Sequence, residues 1–277
     1  MIVQHNMTAL NANRNLGITN TNLAKNTEKL SSGYRVNRAA DDAAGLSISE
    51  KMRGQIRGLN QASTNAQDGT SLIQTAEGAL AEIHSVLQRM RELTVQASND
   101  TYVTADRAAI ALEVAALTSE IDRIANQTEF NTMKLLSGSF TGKALQVGAN
   151  TSQLITFGIT KMSASGLGVE YKDVGSLIGT KNSGTAITSV ISTVDAALTK
   201  VSTQRSKLGA IQNRLEHTIA NADNTAENLQ AAESRIRDLN MADEMVKYSK
   251  NAILQQAGQS MLAQANQATQ GVVSLLR

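Results

Sequence analysis

The sequence predicts a mainly α protein: a long antiparallel helical bundle or coiled coil built from the N- and C-terminal segments, with a small central β region. Three observations carry this. Apolar residues recur with 3-4-3-4 spacing over both flanks of the 277-residue chain, the seam of a coiled coil or tight bundle. The chain has no Pro, Cys or Trp and only 3 % aromatics, so its buried area must come from aliphatic side chains spread along extended surfaces. The middle is rich in Gly, Ser and Thr and alternates with period two.

The first seam runs Ala9, Ala12, Leu16, Thr19, Leu23, Asn26, Leu30 and stops at Ser31-Ser32-Gly33, where Gly suits a left-handed cap. Asp41 or Asp42 is placed to cap the next helix. That helix carries a second seam from Leu59 through Ile73, Leu80, Leu87 and Met90 to Ala97, and Asn99-Asp100-Thr101 reads as its end. A third seam is Ile110, Val114, Leu117, Ile121, Ile124. The longest runs from Val190 through Val194, Ala197, Val201, Gln204, Leu208 and Leu215 to Ile236 and Leu239. Residues 239–276 would extend it as a rod of roughly 55 Å. Between these lies residues 131–185, where Leu145 and Val147 alternate, as do Ile155, Phe157 and Ile159, the sign of strands joined by turns. The terminal seams are rich in Ala, Asn, Gln and Thr and bury little per residue, so they are expected to order on association.

Composition narrows the function classes. Without Cys there is neither a disulfide nor thiolate chemistry. The net charge of +2 comes with no dense basic run, which argues against a nucleic-acid surface. The N-terminus lacks a basic, then apolar, signal-peptide pattern, and no apolar run is long enough to insert in a membrane. His5, His84 and His217 lack ligand spacing, so no metal site is expected, and no cofactor. Gly166-Leu167-Gly168 follows no strand-to-helix phosphate pattern and reads as a turn. No enzyme is expected; a self-associating structural protein is.

Several further motifs stand toward both ends of the chain and in its middle. They are Leu30-Ser31-Ser32-Gly33-Tyr34-Arg35-Val36-Asn37, Asp41-Asp42-Ala43-Ala44-Gly45-Leu46, Gln127-Thr128-Glu129-Phe130-Asn131 and Leu145-Gln146-Val147-Gly148-Ala149-Asn150 near the start and middle. Toward the end come Glu233-Ser234-Arg235-Ile236-Arg237-Asp238, Ile253-Leu254-Gln255-Gln256-Ala257-Gly258, Leu262-Ala263-Gln264-Ala265-Asn266-Gln267 and Leu275-Leu276-Arg277. Together these motifs resemble a known family, bacterial flagellin, in its short form without outer variable domains. Thr269 stands where many relatives carry Pro, which leaves the last helix free to continue.

The resemblance implies a subunit that polymerises head-to-tail into the hollow helical bacterial flagellar filament. Residues 1–43 with 234–277 would form an inner coiled-coil domain, and 44–233 a helical wall whose β region spans about 131–185. Ile2, Leu16, Leu23, Leu30, Ile253, Leu254, Met261, Leu262, Leu275 and Leu276 would be the polymerisation contacts. The resemblance also implies an extracellular location on the flagellum, reached through the flagellar type III export channel. A homopolymer, an export chaperone on the C-terminal segment, the filament cap and hook-junction proteins would be the partners.

The stretch Gln88-Arg89-Met90-Arg91-Glu92-Leu93 reads as an amphipathic helix turn, with Met90 on the seam and Arg89 and Leu93 sharing another, exposed face. Subunit packing is one reading of it. The resemblance implies a second: docking to vertebrate Toll-like receptor 5 through Gln88, Arg89, Leu93 and Glu113. The nearest rival function is a hook–filament junction protein, which shares the terminal helices. An adhesin would need a large variable region, which the short middle does not offer.

Overall fold

A computed structural model describes residues 6–180 and 184–275. Its elements run α1 (Met7–Ser32), α2 (Ala43–Ala97), α3 (Thr104–Gln127), β1 (Glu129–Phe130), β2 (Met133–Lys134), β3 (Lys143–Gln146), β4 (Leu154–Phe157), α4 (Ala164–Leu167), α5 (Gly175–Thr180), α6 (Gly184–Arg237) and α7 (Met241–Leu275). The mainly α prediction holds, with strands confined to two small antiparallel pairs. Contacts divide the chain into two units, one of residues 1–56 with 227–277 and one of residues 57–226.

In the first unit, local chemistry sets the helix ends. The Asn6 side chain accepts from the Ala9 amide at 3.0 Å and caps α1. At the other end Gly33 takes φ +74° and donates its amide to the Lys29 carbonyl at 2.9 Å. Of the two candidate caps for α2, Asp42 is the one that acts, since its Oδ1 accepts from the Gly45 amide at 2.8 Å. Asp41 instead closes the preceding turn, accepting from the amides of Arg38 and Asn37, and the Arg38 bond is the main cause of its lowered pKa.

The seam predicted through Leu239 overshoots, because α6 ends at Arg237. There the chain pairs with the segment after α1: the Arg35 amide donates to the Arg237 carbonyl at 2.7 Å, and the Leu239 amide to the Gly33 carbonyl at 3.0 Å. Asp238 bridges Tyr34 antiparallel. The Arg237 guanidinium lies 4.6 Å from the Tyr34 ring centroid, and its Nη1 sits 2.9 Å from Glu50. Asn240 then caps α7 by accepting from the Ala242 amide. Helix α7 continues past position 269 to Leu275, a span of about 52 Å for 35 residues.

The second unit holds a continuous apolar core. Ile73, Leu80, Ile83, Leu87 and Met90 of α2 meet Val114 and Ile121 of α3 and Val190, Val194, Val201 and Leu208 of α6. Burial follows the predicted seams, except that the α6 register passes from Thr225, which is exposed, to the buried Ala226. Strand β4 alternates as expected: Ile155 and Phe157 are buried while Leu154 and Thr156 face out. It pairs with β3 in the register Leu145 opposite Ile155. The Phe157 ring packs at 5.6 Å from that of Phe140. Residues 164–180 depart from the expected strands, forming α4 and α5. Helix α3 supports this turn of chain, because Asp122 Oδ1 accepts from the Ala164 amide at 2.8 Å. No helix among the described residues is long and apolar enough to cross a membrane.

Candidate assembly surface

Helices α1 and α7 pack antiparallel, and the contact between them is polar for much of its length. Asn6 Nδ2 donates to the Ala265 carbonyl and Gln255 Nε2 to Asn20 Oδ1, both at 2.9 Å. Asn26 is buried; with its amide nitrogen toward α7 it donates to Glu244 Oε1 at 3.0 Å and accepts from Asn251 Nδ2 at 3.0 Å. Glu244 is itself buried and holds Lys247 at 2.9 Å. Such groups are satisfied only while the two helices keep this register. Half-buried Ala12, Leu16, Leu23, Leu30 and Leu262 supply the apolar part of the contact. Leu16 closes on Gly258, where an added Cβ would come within 3.2 Å of the Leu16 Cδ1.

The faces turned away from this contact carry large exposed apolar residues among polar ones. Helix α7 exposes Val246 (70 %), Ile253 (66 %) and Met261 (64 %), while α1 exposes Met7 (65 %), Leu10 (67 %) and Ile18 (54 %). Around a helix of 3.6 residues per turn, Val246 and Ile253 fall opposite Glu244, Asn251 and Gln255. The pair thus holds polar bonds beside half-buried Leu16, Leu23, Leu30 and Leu262 within, and leaves further aliphatic side chains without. Isolated exposed apolar residues are ordinary on protein surfaces, whereas an aligned stripe marks a site of interaction.

The predicted polymerisation residues divide accordingly. Leu16, Leu23, Leu30 and Leu262 are half-buried in the monomer. Ile253, Leu254 and Met261 are exposed. Ile2, Leu276 and the side chain of Leu275 lie outside the described residues. A groove of about 450 Å³ runs along the pair, lined by Ala12, Leu16, Leu254, Ala257, Gly258 and Met261 among others.

The predicted receptor patch is only partly assembled. Arg89 Nη2 lies 2.9 Å from Glu113 Oε1 and its Nη1 3.1 Å from Glu92, so α2 and α3 are joined here by an exposed ion pair. Hydrogen bonding to Glu113, then to Glu92, raises the Arg89 pKa. Gln88 is exposed and turns its amide to His84, 3.1 Å away. Leu93 corrects the sequence reading: it is 2 % exposed and belongs to the core, not to a surface shared with Arg89. A bundle helix buries a stripe broader than a two-residue seam, and Leu93 joins Met90, Thr94 and Ala97 inside it. An apolar side chain that does stand out nearby is Leu112, on α3 beside Glu113, 70 % exposed.

Arg107 escaped the sequence reading. It is buried, and its guanidinium donates to the carbonyls of Ala97 and Asn99 at 3.1 and 3.2 Å while pairing with Asp100 at 3.0 Å. It therefore closes the end of α2 from α3. Its position between Val103 and Ile110, on the inner face of α3, was the available signal. Among the described residues no group of three or more His, Asp or Glu is placed to hold a metal ion.

The model for the bacterial flagellin N-terminal helical region matches residues 3–141, and that for the C-terminal helical region matches residues 191–276. The chain is 56 % identical over 279 residues to a flagellin of Halalkalibacterium halodurans, covering 100 % of both chains. It is 54 % identical over 289 residues to the flagellar filament 33 kDa core protein of Treponema phagedenis, and 52 % over 306 to a flagellin of Bacillus subtilis, again covering 100 % of both chains each time. Among solved structures, a putative flagellar hook-associated protein from Vibrio parahaemolyticus shares the fold, with TM-score 0.59 at 12 % identity over 72 % of this chain and 98 % of that one. These full-length identities and the two terminal matches place the chain in the bacterial flagellin family, a family of structural filament proteins and not of enzymes.

Proposed function

We propose that the chain is the structural subunit of a hollow helical flagellar filament and polymerises head-to-tail. The observation that carries this reading is the row of aliphatic side chains on α1 and α7, Leu10, Ile18, Val246, Ile253 and Met261 among them, left exposed within their own unit. Copies of the same chain supply the cover. Heterologous contacts of this kind do not close on themselves, so they propagate. Residues 1–43 and 234–277 form the inner layer, residues 44–233 form the wall, and the β region at about 131–185 lies outermost. Each newly buried aliphatic surface contributes roughly 25 cal/mol per Å². Ordering of the ends opposes this, so nucleation is slow and growth at an existing tip is favoured. The test is electron microscopy of the purified chain after addition of short filament seeds. Helical filaments support the reading, and persistent monomer at high concentration overturns it. The rival hook–filament junction role predicts no filament from the chain alone. Shared fold with a hook-associated protein does not separate the two, whereas the full-length flagellin identities favour the subunit.

The chain's place on the flagellum, outside the cell, calls for a route out. Export in unfolded form through the flagellar type III channel, with a chaperone over the C-terminal segment, suits a chain without disulfides. The filament cap and hook-junction proteins would then meet the same terminal helices at the two ends of the polymer.

A second reading concerns vertebrate Toll-like receptor 5. The cross-helix pair of Arg89 and Glu113, with Gln88 beside it, presents a fixed polar surface to such a partner. Leu93 supports that surface from beneath instead of touching the partner. Binding of the soluble monomer to the receptor ectodomain, compared between the parent chain and Arg89→Ala, tests this. Equal affinities would remove the patch from the account.

A further inference from the structure

Of the methionines in the described residues, Met90 and Met162 are sealed in the core at 0 % and 2 % exposure. Met7 (65 %), Met241 (48 %), Met245 (50 %) and Met261 (64 %) are open to solvent, and all four stand on α1 or α7. The exposed thioethers are thus concentrated on the two helices that carry the outward aliphatic stripe. Met261 also lines the groove beside Leu16 and Leu254. Met133, at the β1–β2 turn, is the further exposed one and lies apart from these helices. The chain has no Cys to intercept an oxidant first.

We propose that Met7, Met241, Met245 and Met261 form a redox-sensitive modification site on the free subunit, at which peroxides form methionine sulfoxide and so block assembly. The thioether lone pair attacks one peroxide oxygen, an S–O bond forms and the O–O bond breaks. Proton transfer to the departing oxygen releases water. Sulfur loses two electrons and the peroxide gains them. The product replaces a flexible apolar side chain by one with a strong acceptor oxygen. Covering that oxygen with a neighbouring subunit strips its water without guaranteeing a donor, which opposes burial. The inference rests on the filament reading, since assembly is what the sulfoxides impair. Once covered in a polymer, the same sulfurs are shielded, so oxidant acts on subunits before incorporation.

The experiment treats full-length monomer with dilute hydrogen peroxide, stops the reaction with catalase, and follows two readouts. Residue-resolved mass spectrometry should show the four helix methionines oxidised at least about tenfold faster than Met90 and Met162, as their exposure dictates. Seeded growth should show the critical concentration raised about tenfold or more, and methionine sulfoxide reductases should restore it. Growth of the variant Met7→Leu/Met241→Leu/Met245→Leu/Met261→Leu, measured against its own untreated critical concentration, should be insensitive to peroxide. Met261→Gln, a polar stand-in without any oxidant, should raise the critical concentration by itself. Unchanged growth of chain oxidised at all four positions overturns the proposal, and so does equal peroxide sensitivity of the Leu variant. Failure of untreated parent chain to grow on seeds is a separate outcome, which overturns the filament reading and this proposal with it.

Discussion

Replacing Ile253 tests how much the outward stripe contributes to assembly. Ile253 leaves 66 % of its surface in water in the monomer. Full burial of an aliphatic side chain of this size contributes about 1.5–3 kcal/mol, so covering the exposed two-thirds contributes about 1–2 kcal/mol per subunit. Ile253→Ala forfeits most of that. Because each 1.4 kcal/mol is tenfold in an equilibrium constant, the critical concentration for seeded growth should rise about 5- to 30-fold. Ile253→Asp adds the cost of desolvating a carboxylate, several kcal/mol when unpaired, and should abolish growth. Ile253 is mostly exposed within the chain, so the melting of either variant should match the parent to within about 0.5 kcal/mol. The assay is sedimentation of seeded mixtures across a concentration series, read beside thermal unfolding by circular dichroism. An Asp variant that grows filaments at the parent's critical concentration would refute the reasoning. So would an Asp variant that fails only because it does not fold.

Other perturbations separate packing from recognition and stability. Leu93→Ala should destabilise residues 57–226 by about 2–5 kcal/mol as a core truncation, so a loss of receptor binding in that variant must be read against its melting curve. Arg89→Ala should leave the melting unchanged and thus isolates the surface. Arg107→Ala should cost about 2–3 kcal/mol, because the carbonyls of Ala97 and Asn99 lose a charged donor in a buried site, and hydrogen exchange should accelerate first at the end of α2. Hydrogen bonding to Arg237 chiefly holds Glu50 below its ordinary pKa of 4.5. A carboxylate depressed in this way adds stability that is full above the unfolded value and lost as pH falls through the folded value. Acidification below about 4.5 should therefore loosen the pairing of Glu50 with Arg237, an effect absent in Glu50→Gln and measurable by carboxyl NMR titration.

The long helices were legible because a 3-4 seam held over many turns admits no other element. Gly33 was legible because a seam ended on the residue that best tolerates positive φ. Leu93 was misread for a physical reason: a seam one or two residues wide describes a two-stranded coiled coil, while α2 lies in a bundle and buries a broader stripe. The break at residues 238–240 left only the capping Asn240 as a local signal, because no Pro or Gly interrupts α6 there. It is held by partners far away in sequence, the carbonyl of Gly33 and the strand-like contact with Tyr34. The helices α4 and α5, of four and six residues, are too short to show a period. The polar bonds set among the leucines of the α1–α7 contact required both helices together. From one seam alone, Asn26 reads as a flaw in a hydrophobic contact, not as a member of a bonded set with Glu244 and Asn251.

The central claim is that the α1–α7 pair reaches full stability only when copies cover its outer face. Amide hydrogen exchange over residues 7–32 and 241–275, compared between monomer and filament, tests it most directly. The account predicts weak protection of both helices in the monomer, stronger protection of the core around Ile83, Leu87 and Val194, and a large gain for α1 and α7 on polymerisation. Protection of α1 and α7 in the monomer equal to that in the filament would contradict it.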